Sequence, residues 1–104
     1  MISFFKKLFG TSTTELTELL NGGAVVIDVR TRDEFLSGHI KGSINIPLNQ
    51  INSNKEKLKK HHQIIVCCRS GNRSSQAKSI LNSHGFQNVT NGGSWQNVNN
   101  QLKK

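Results

Sequence analysis

The segment Cys67-Cys68-Arg69-Ser70-Gly71-Asn72-Arg73-Ser74 holds the residues of this chain best suited to covalent chemistry. A cysteine attacks as the thiolate, so its reactivity depends on whether its surroundings favour the charged form. Two guanidinium groups, Arg69 and Arg73, flank a run suited to a tight turn. Gly71 suits a position with positive φ, and Asn72 tolerates one. The successive backbone N–H groups of such a turn attract negative charge, as does the positive end of a following helix. Each of these favours thiolate over thiol at Cys68. The same donors suit an anionic substrate and the charge that develops in a transition state. A plainer reading makes Cys68 a small buried hydrophobe at a strand end. Two arginines would be costly neighbours for such a thiol.

Metal binding is the competing use of these residue types. His61 and His62 precede the cysteine pair, but their spacing matches no common zinc pattern, and adjacent ligands on an extended strand point to opposite faces. They are read as a polar turn entering a strand, and no metal site is expected. Neighbouring cysteines rarely bridge, because a disulfide asks for about 4.4–6.8 Å between Cα atoms in a favourable orientation. No disulfide framework is expected, which fits a reducing compartment.

The elements that must position this loop are legible on either side of it. Ile64 to Cys67 is the clearest strand, and Ser74 to His84 the clearest helix, with Ala77, Ile80 and Leu81 aligned and Gly85 as its stop. A cysteine between them sits at the carboxyl edge of a sheet, where open α/β folds bind ligands. Upstream, Ser12 and Glu15 read as a capping box opening a helix with Leu16, Leu19 and Leu20 on one face, stopped at Asn21-Gly22-Gly23. Ala24 to Ile27 is a β-branched run of the buried-strand type. Thr31 and Glu34 form a second capping box before Phe35, Leu36 and a stop at Gly38. Ser43 to Ile46 is a short strand closed by Pro47, and Asn49 to Lys60 a lysine-rich surface helix with only Ile51 and Leu58 facing inward. Asn88 to Thr90 is a last strand. Trp95, Val98 and Leu102 mark a closing helix. Alternation of this kind predicts an α/β fold, an open parallel sheet with helices on both faces.

The chain has 104 residues, enough for one domain, with 34% hydrophobic residues. Lys and Arg total 14 against 6 acids, a net charge of +8 that attracts anions in general. Nucleic acid is the default partner of a small basic protein, but no zinc-finger spacing, helix-turn-helix signal or aromatic-basic interleaving is present. No apolar run approaches the roughly 20 residues of a membrane span. Residues 1–11 form a short apolar and basic amino-terminal segment, ahead of a domain spanning 12–104. Ile2, Phe5, Leu8 and Phe9 lie at near-helical spacing, but residues 1–10 are short for a membrane tag, make a poor signal peptide, and are read as packed on the domain. The protein is expected to be cytoplasmic.

Three ordered motifs together resemble the rhodanese family. Cys68-Arg69-Ser70-Gly71-Asn72-Arg73-Ser74 is similar to its active-site loop. Val26-Ile27-Asp28-Val29-Arg30, Glu34-Phe35, Gly38-His39-Ile40, Gly42-Ser43 and Asn45-Ile46-Pro47 resemble its amino-terminal signature in order and spacing. Asn91-Gly92-Gly93 with Trp95 resembles its carboxyl-terminal element. The resemblance covers about residues 12–102 and implies a rhodanese-like fold and a sulfurtransferase. It makes Cys68 the sulfur-accepting nucleophile, with Arg69, Ser70, Gly71, Asn72, Arg73 and Ser74 cradling persulfide and substrate. A small anionic donor such as thiosulfate would leave its outer sulfur on Cys68, and a thiol or cyanide would remove it. No metal or organic cofactor is implied. Asp28, Arg30, Glu34 and His39 would be structural supports. On physical grounds Asp28 can accept backbone N–H bonds at a strand end, and Arg30 can pair with Glu34 one helical turn on. His39 after Gly38 is read as a satisfied structural histidine.

Two alternatives stay open. Counted from Cys67, five residues precede Arg73, the Cys-x5-Arg-Ser pattern of cysteine phosphatases. Some phosphatases and arsenate reductases share the rhodanese fold with a loop one residue longer. Alternation favours Cys68, because Cys67 ends the packed strand and Cys68 starts the turn. The domain could also be a non-enzymatic binding module, or a persulfide carrier acting on a sulfur-relay protein.

Overall fold

A computed structural model describes residues 12–102. The amino-terminal segment 1–11 and its expected helix lie outside the described residues. Helix α1 (Thr13–Asn21) begins where Ser12 Oγ accepts the Glu15 N–H at 3.2 Å. Strand β1 (Val25–Asp28) follows, then α2 (Arg32–Leu36) with the complete Thr31/Glu34 capping box. Strand β2 is only Ile44–Asn45.

The expected surface helix between Asn49 and Lys60 is broken up. Two 3-10 turns, Leu48–Gln50 and Asn52–Asn54, precede a single α turn, α3 (Lys55–Leu58). Ser53 Oγ and Asn54 Nδ2 both donate to the Gln50 carbonyl, giving the backbone an alternative to a continuous helix. Ile51 and Leu58 are buried all the same.

Strand β3 (Ile64–Cys68), helix α4 (Asn72–Ser83), strand β4 (Val89–Ser94) and helix α5 (Trp95–Leu102) complete the chain. The four strands are all parallel in the order β2-β1-β3-β4. Helices cover both faces, as expected. On one face Ala77 and Leu81 of α4 pack with Ile27, Ile51, Leu58, Ile64, Val66 and Cys68. On the other, Leu16 of α1 and Val98 of α5 pack with Val26, Ile40, Ile65 and Cys67. Parallel pairing buries both faces, which is why β1 and β3 read as continuous apolar runs.

β4 is longer than Asn88–Thr90 because it takes in Gly92 and Gly93 through a bulge. Val66 pairs with Asn91 and Cys67 with Gly93, leaving Gly92 as the extra residue. A Cβ on Gly92 would lie 2.6 Å from Val98 Cγ2 and 2.9 Å from Ile65 Cγ2, so the backbone itself fills the space under α5.

Candidate active site

Cys67 and Cys68 are separated by the pleat. Successive strand residues face opposite sides, so each thiol belongs to a different core layer. Cys68 is the last residue of β3 and not, as expected from sequence, the first of the turn. The strand extends because Cys68 still pairs with Ser94 across the bulge.

The turn after Cys68 wraps around its sulfur. Gly71 N–H donates to Sγ at 3.0 Å and Ser74 N–H at 3.4 Å, with Ser74 Oγ also 3.4 Å away. Burial pushes the Cys68 thiol up, but hydrogen bonds from the Ser74 hydroxyl and N–H and from the Ser70 and Gly71 backbone outweigh it and hold the thiol below its usual value. Cys67 receives no such donors. Burial, then the nearby Asp28 carboxylate, pushes its thiol well above the usual range.

The conformation rests on Gly71, whose φ is 105° and whose Cβ, were there one, would lie 3.3 Å from Gly93 Cα. Asn72, where a positive φ is tolerable, does not need one: it is the first residue of α4.

The loop is braced from two sides. Arg73 makes two bonds to Glu34, Nη1 to Oε1 at 2.6 Å and Nη2 to Oε2 at 2.9 Å, in the bidentate geometry of a strong charge pair. Glu34 is thereby held at a pKa of about 2, the Arg73 bonds being the largest cause. This corrects the pairing read from sequence. Arg30 does not meet the Glu34 carboxylate. It turns back to Asp28, with Nη2 to Oδ2 at 2.7 Å and Nε to Oδ1 at 3.0 Å, and gives its remaining donors to the Gly38 and Glu34 carbonyls. The pair is almost wholly buried, and Trp95 covers the Arg30 guanidinium at 4.9 Å. Asp28 Oδ1 also accepts the Arg30 N–H, as a strand-end carboxylate was expected to do.

The second brace is Asn91. Its Oδ1 accepts from Ser74 Oγ at 2.7 Å and from Gly93 N–H at 2.9 Å, and its Nδ2 donates to the Gly71 carbonyl at 3.2 Å. Sequence reasoning placed Asn91 in a motif without giving it a role. The available signal was an amide on a strand neighbouring the cysteine strand, just ahead of two glycines.

The other candidates lie around this core. Arg69 and Ser70 are exposed beside the loop. His39 is exposed too, stacked on Phe35 at 3.8 Å with Nδ1 2.7 Å from the Phe35 carbonyl. His61 and His62 lie at the opposite end of β3, and their carbonyls accept from Asn88 Nδ2. Among the described residues no cluster of His, Cys, Asp and Glu could hold a metal ion, and no helix is long and apolar enough to cross a membrane.

A parallel sheet with a cysteine loop between its central strand and a helix defines the class, and comparison with known proteins names the family. The model of the rhodanese-like domain matches residues 12–101, and the chain belongs to that family. It is 35% identical over 77 residues to the thiosulfate sulfurtransferase PspE of Escherichia coli, covering 69% of this chain and 71% of PspE. A human single-domain sulfurtransferase, TSTD1, superposes with a TM-score of 0.72 at 28% identity, covering 92% of this chain and 96% of TSTD1. A structure described as a rhodanese with anions, from E. coli, superposes with a TM-score of 0.67 at 31% identity, covering 72% of this chain and 91% of the other. Some matching relatives are longer: the chain spans 36% of one and 46% of another.

Proposed function

We propose that this protein is a sulfurtransferase that carries sulfane sulfur as a persulfide on Cys68. The observation that carries the reading is the ring of Gly71 and Ser74 N–H donors on the Cys68 sulfur. Donors so placed stabilise negative charge on Sγ, both in the attacking thiolate and in the thiolate that leaves when the sulfur is passed on. The Cys68 thiolate attacks the outer sulfur of an anionic donor of the thiosulfate type. A Cys68–S bond forms, the donor S–S bond breaks, and sulfite leaves with the electron pair. An acceptor thiolate or cyanide then attacks the outer sulfur, and Cys68 departs as thiolate. Arg69 and the backbone from Ser70 to Ser74 bind the donor oxyanion, while Asp28, Arg30, Glu34 and His39 hold the frame. The relative named as a thiosulfate sulfurtransferase supports this donor class.

The phosphatase reading needs Cys67 as nucleophile. Its burial on the other face, among Leu16, Val26 and Val98, argues against that. A dedicated carrier for a sulfur-relay partner would use the same persulfide and differ only in needing that partner for turnover.

The test is intact mass after incubation of the reduced protein with thiosulfate. A gain of about 32 Da, one sulfur atom, is expected in the wild type and in Cys67→Ser, and is lost in Cys68→Ser. Cyanide then discharges it. An adduct that depends on Cys67 instead would sink the assignment. No adduct on the wild type would remove thiosulfate as donor and make phosphate-ester hydrolysis the next assay.

A further inference from the structure

Ser74 has one hydroxyl proton and faces two acceptors, Asn91 Oδ1 at 2.7 Å and Cys68 Sγ at 3.4 Å. The Asn91 amide cannot turn to relieve this. Gly93 N–H needs an acceptor and finds Oδ1, and the Gly71 carbonyl needs a donor and finds Nδ2. Two backbone groups therefore hold the acceptor end of Asn91 against Ser74. The regular register of β4 on β3 makes this possible, since Asn91 pairs with Val66 and shares its face of the sheet with Cys68.

We propose that Asn91 is a positioning residue that competes with the Cys68 sulfur for the Ser74 hydroxyl proton, and so sets how readily that thiol ionises. In the neutral state Cys68 S–H donates to Ser74 Oγ, and Ser74 O–H donates to Asn91 Oδ1. When the thiol proton leaves to solvent, the Ser74 hydroxyl rotates and donates to the sulfur anion. Asn91 Oδ1 keeps the Gly93 N–H, so neither state strands a buried acceptor. The loop N–H groups favour the thiolate, and Asn91 limits how far. A limit is useful because nucleophilicity falls as a thiol becomes more acidic, and the best attacking thiol ionises near ambient pH. The inference rests on Cys68 being the reactive thiol and adds to that reading the group that tunes it.

The charged and titratable groups around the sulfur lie elsewhere. They are Arg73 on α4 with its partner Glu34 from α2, Asp28 and Arg30 at the end of β1, Cys67 before it and Arg69 after it. Neither β4 nor α5 carries a titratable side chain. Removing the Asn91 amide as Asn91→Ala thus leaves every charge in place.

The experiment is the pH profile of iodoacetamide alkylation of Cys68 in the full chain, with Cys67 and Cys68 resolved by fragment mass spectrometry. Asn91→Ala removes the competing acceptor and is expected to move the midpoint down by about half a unit to one unit, one hydrogen bond's worth. Asn91→Asp keeps an acceptor and adds a negative charge, both of which disfavour the thiolate, and is expected to move it up, so the fall in Asn91→Ala carries the test. Both variants lose the donor to Gly71, so loosening of the loop alone would move both midpoints the same way, and that result overturns the proposal. In a Ser74→Ala background Asn91→Ala is expected to add no shift; a shift that persists without the hydroxyl also overturns it. So does a Cys68 that fails to alkylate across the range. Sulfur uptake from thiosulfate is measured on the same wild-type sample. Uptake without the opposed shifts sinks the relay alone, and opposed shifts without uptake sink the sulfurtransfer reading alone.

Discussion

Arg73 and Glu34, 39 positions apart in the chain, meet as a bidentate pair at 2.6 and 2.9 Å and tie the reactive loop to helix α2. Each side chain is 31% exposed, so solvent screens part of the attraction. The same Glu34 carboxylate closes the α2 capping box by accepting the Thr31 N–H at 3.1 Å. One residue therefore caps a helix and anchors the loop of another. Its loss should be felt in both places.

Glu34→Gln is expected to lower stability by about 1 kcal/mol, a partly exposed charge-assisted pair plus a weakened cap. Denaturant unfolding of Glu34→Gln, Arg73→Gln and the double variant should give a coupling of at least a few tenths of a kcal/mol. Strict additivity would mean the pair holds nothing.

The depressed Glu34 carboxyl also predicts a pH dependence. Its pKa falls from 4.5 to about 2 on folding, so the unfolded chain binds its proton first. The stabilisation is complete above pH 4.5 and is lost as pH falls from there toward 2. The acid limb of stability against pH should flatten in Glu34→Gln over that window. An unchanged limb would show that other carboxylates set it.

Asp28 and Arg30 behave differently because they are buried. Removing one partner leaves an uncompensated charge away from water, which costs about 3–5 kcal/mol. Asp28→Asn and Arg30→Leu should each lower the thermal midpoint sharply, well beyond any change at Glu34. A loss comparable to that of Glu34→Gln would show that water reaches the pair.

Gly92 and Gly71 should both resist substitution, for separate reasons. Gly92→Ala places a methyl group 2.6 Å from Val98 and 2.9 Å from Ile65, so α5 must move. An overpacking cost of about 1–3 kcal/mol is expected, with the Cys68 loop little affected. Gly71→Ala combines a positive φ with a 3.3 Å contact to Gly93, and should disturb the N–H that points at sulfur. Alkylation of Cys68 should therefore move to higher pH in Gly71→Ala and stay in place in Gly92→Ala. The reverse pattern would contradict this account of the loop.

Much of the fold was legible because its signals are local. Thr31 and Glu34 are three residues apart and cap their own helix whatever lies beyond. Val26 and Ile27, and Ile64 to Val66, are apolar without interruption because a parallel strand is buried on both faces. The Asn49–Lys60 helix was misread for the converse reason. Its lysines have good helix propensity, but Ser53 and Asn54 bond backward to Gln50 and interrupt it.

The sequence by itself determined the order of strands and helices, the glycine and serine that shape the turn after Cys68, and the family to which these motifs belong. All follow from interactions within a few residues of one another. Tertiary structure alone decided which acid meets which arginine. Arg30 lies four residues before Glu34, yet turns to Asp28, because the buried strand-end carboxylate needs a compensating charge more than an exposed one does. That frees Glu34 for Arg73, 39 residues away. Tertiary structure also decided that Asn91 reaches Ser74. The parallel pairing of β4 with β3, which sets Asn91 beside Val66 on the face that Cys68 lines, brings it there, and pairing with a strand far off in the chain is not written in the local sequence.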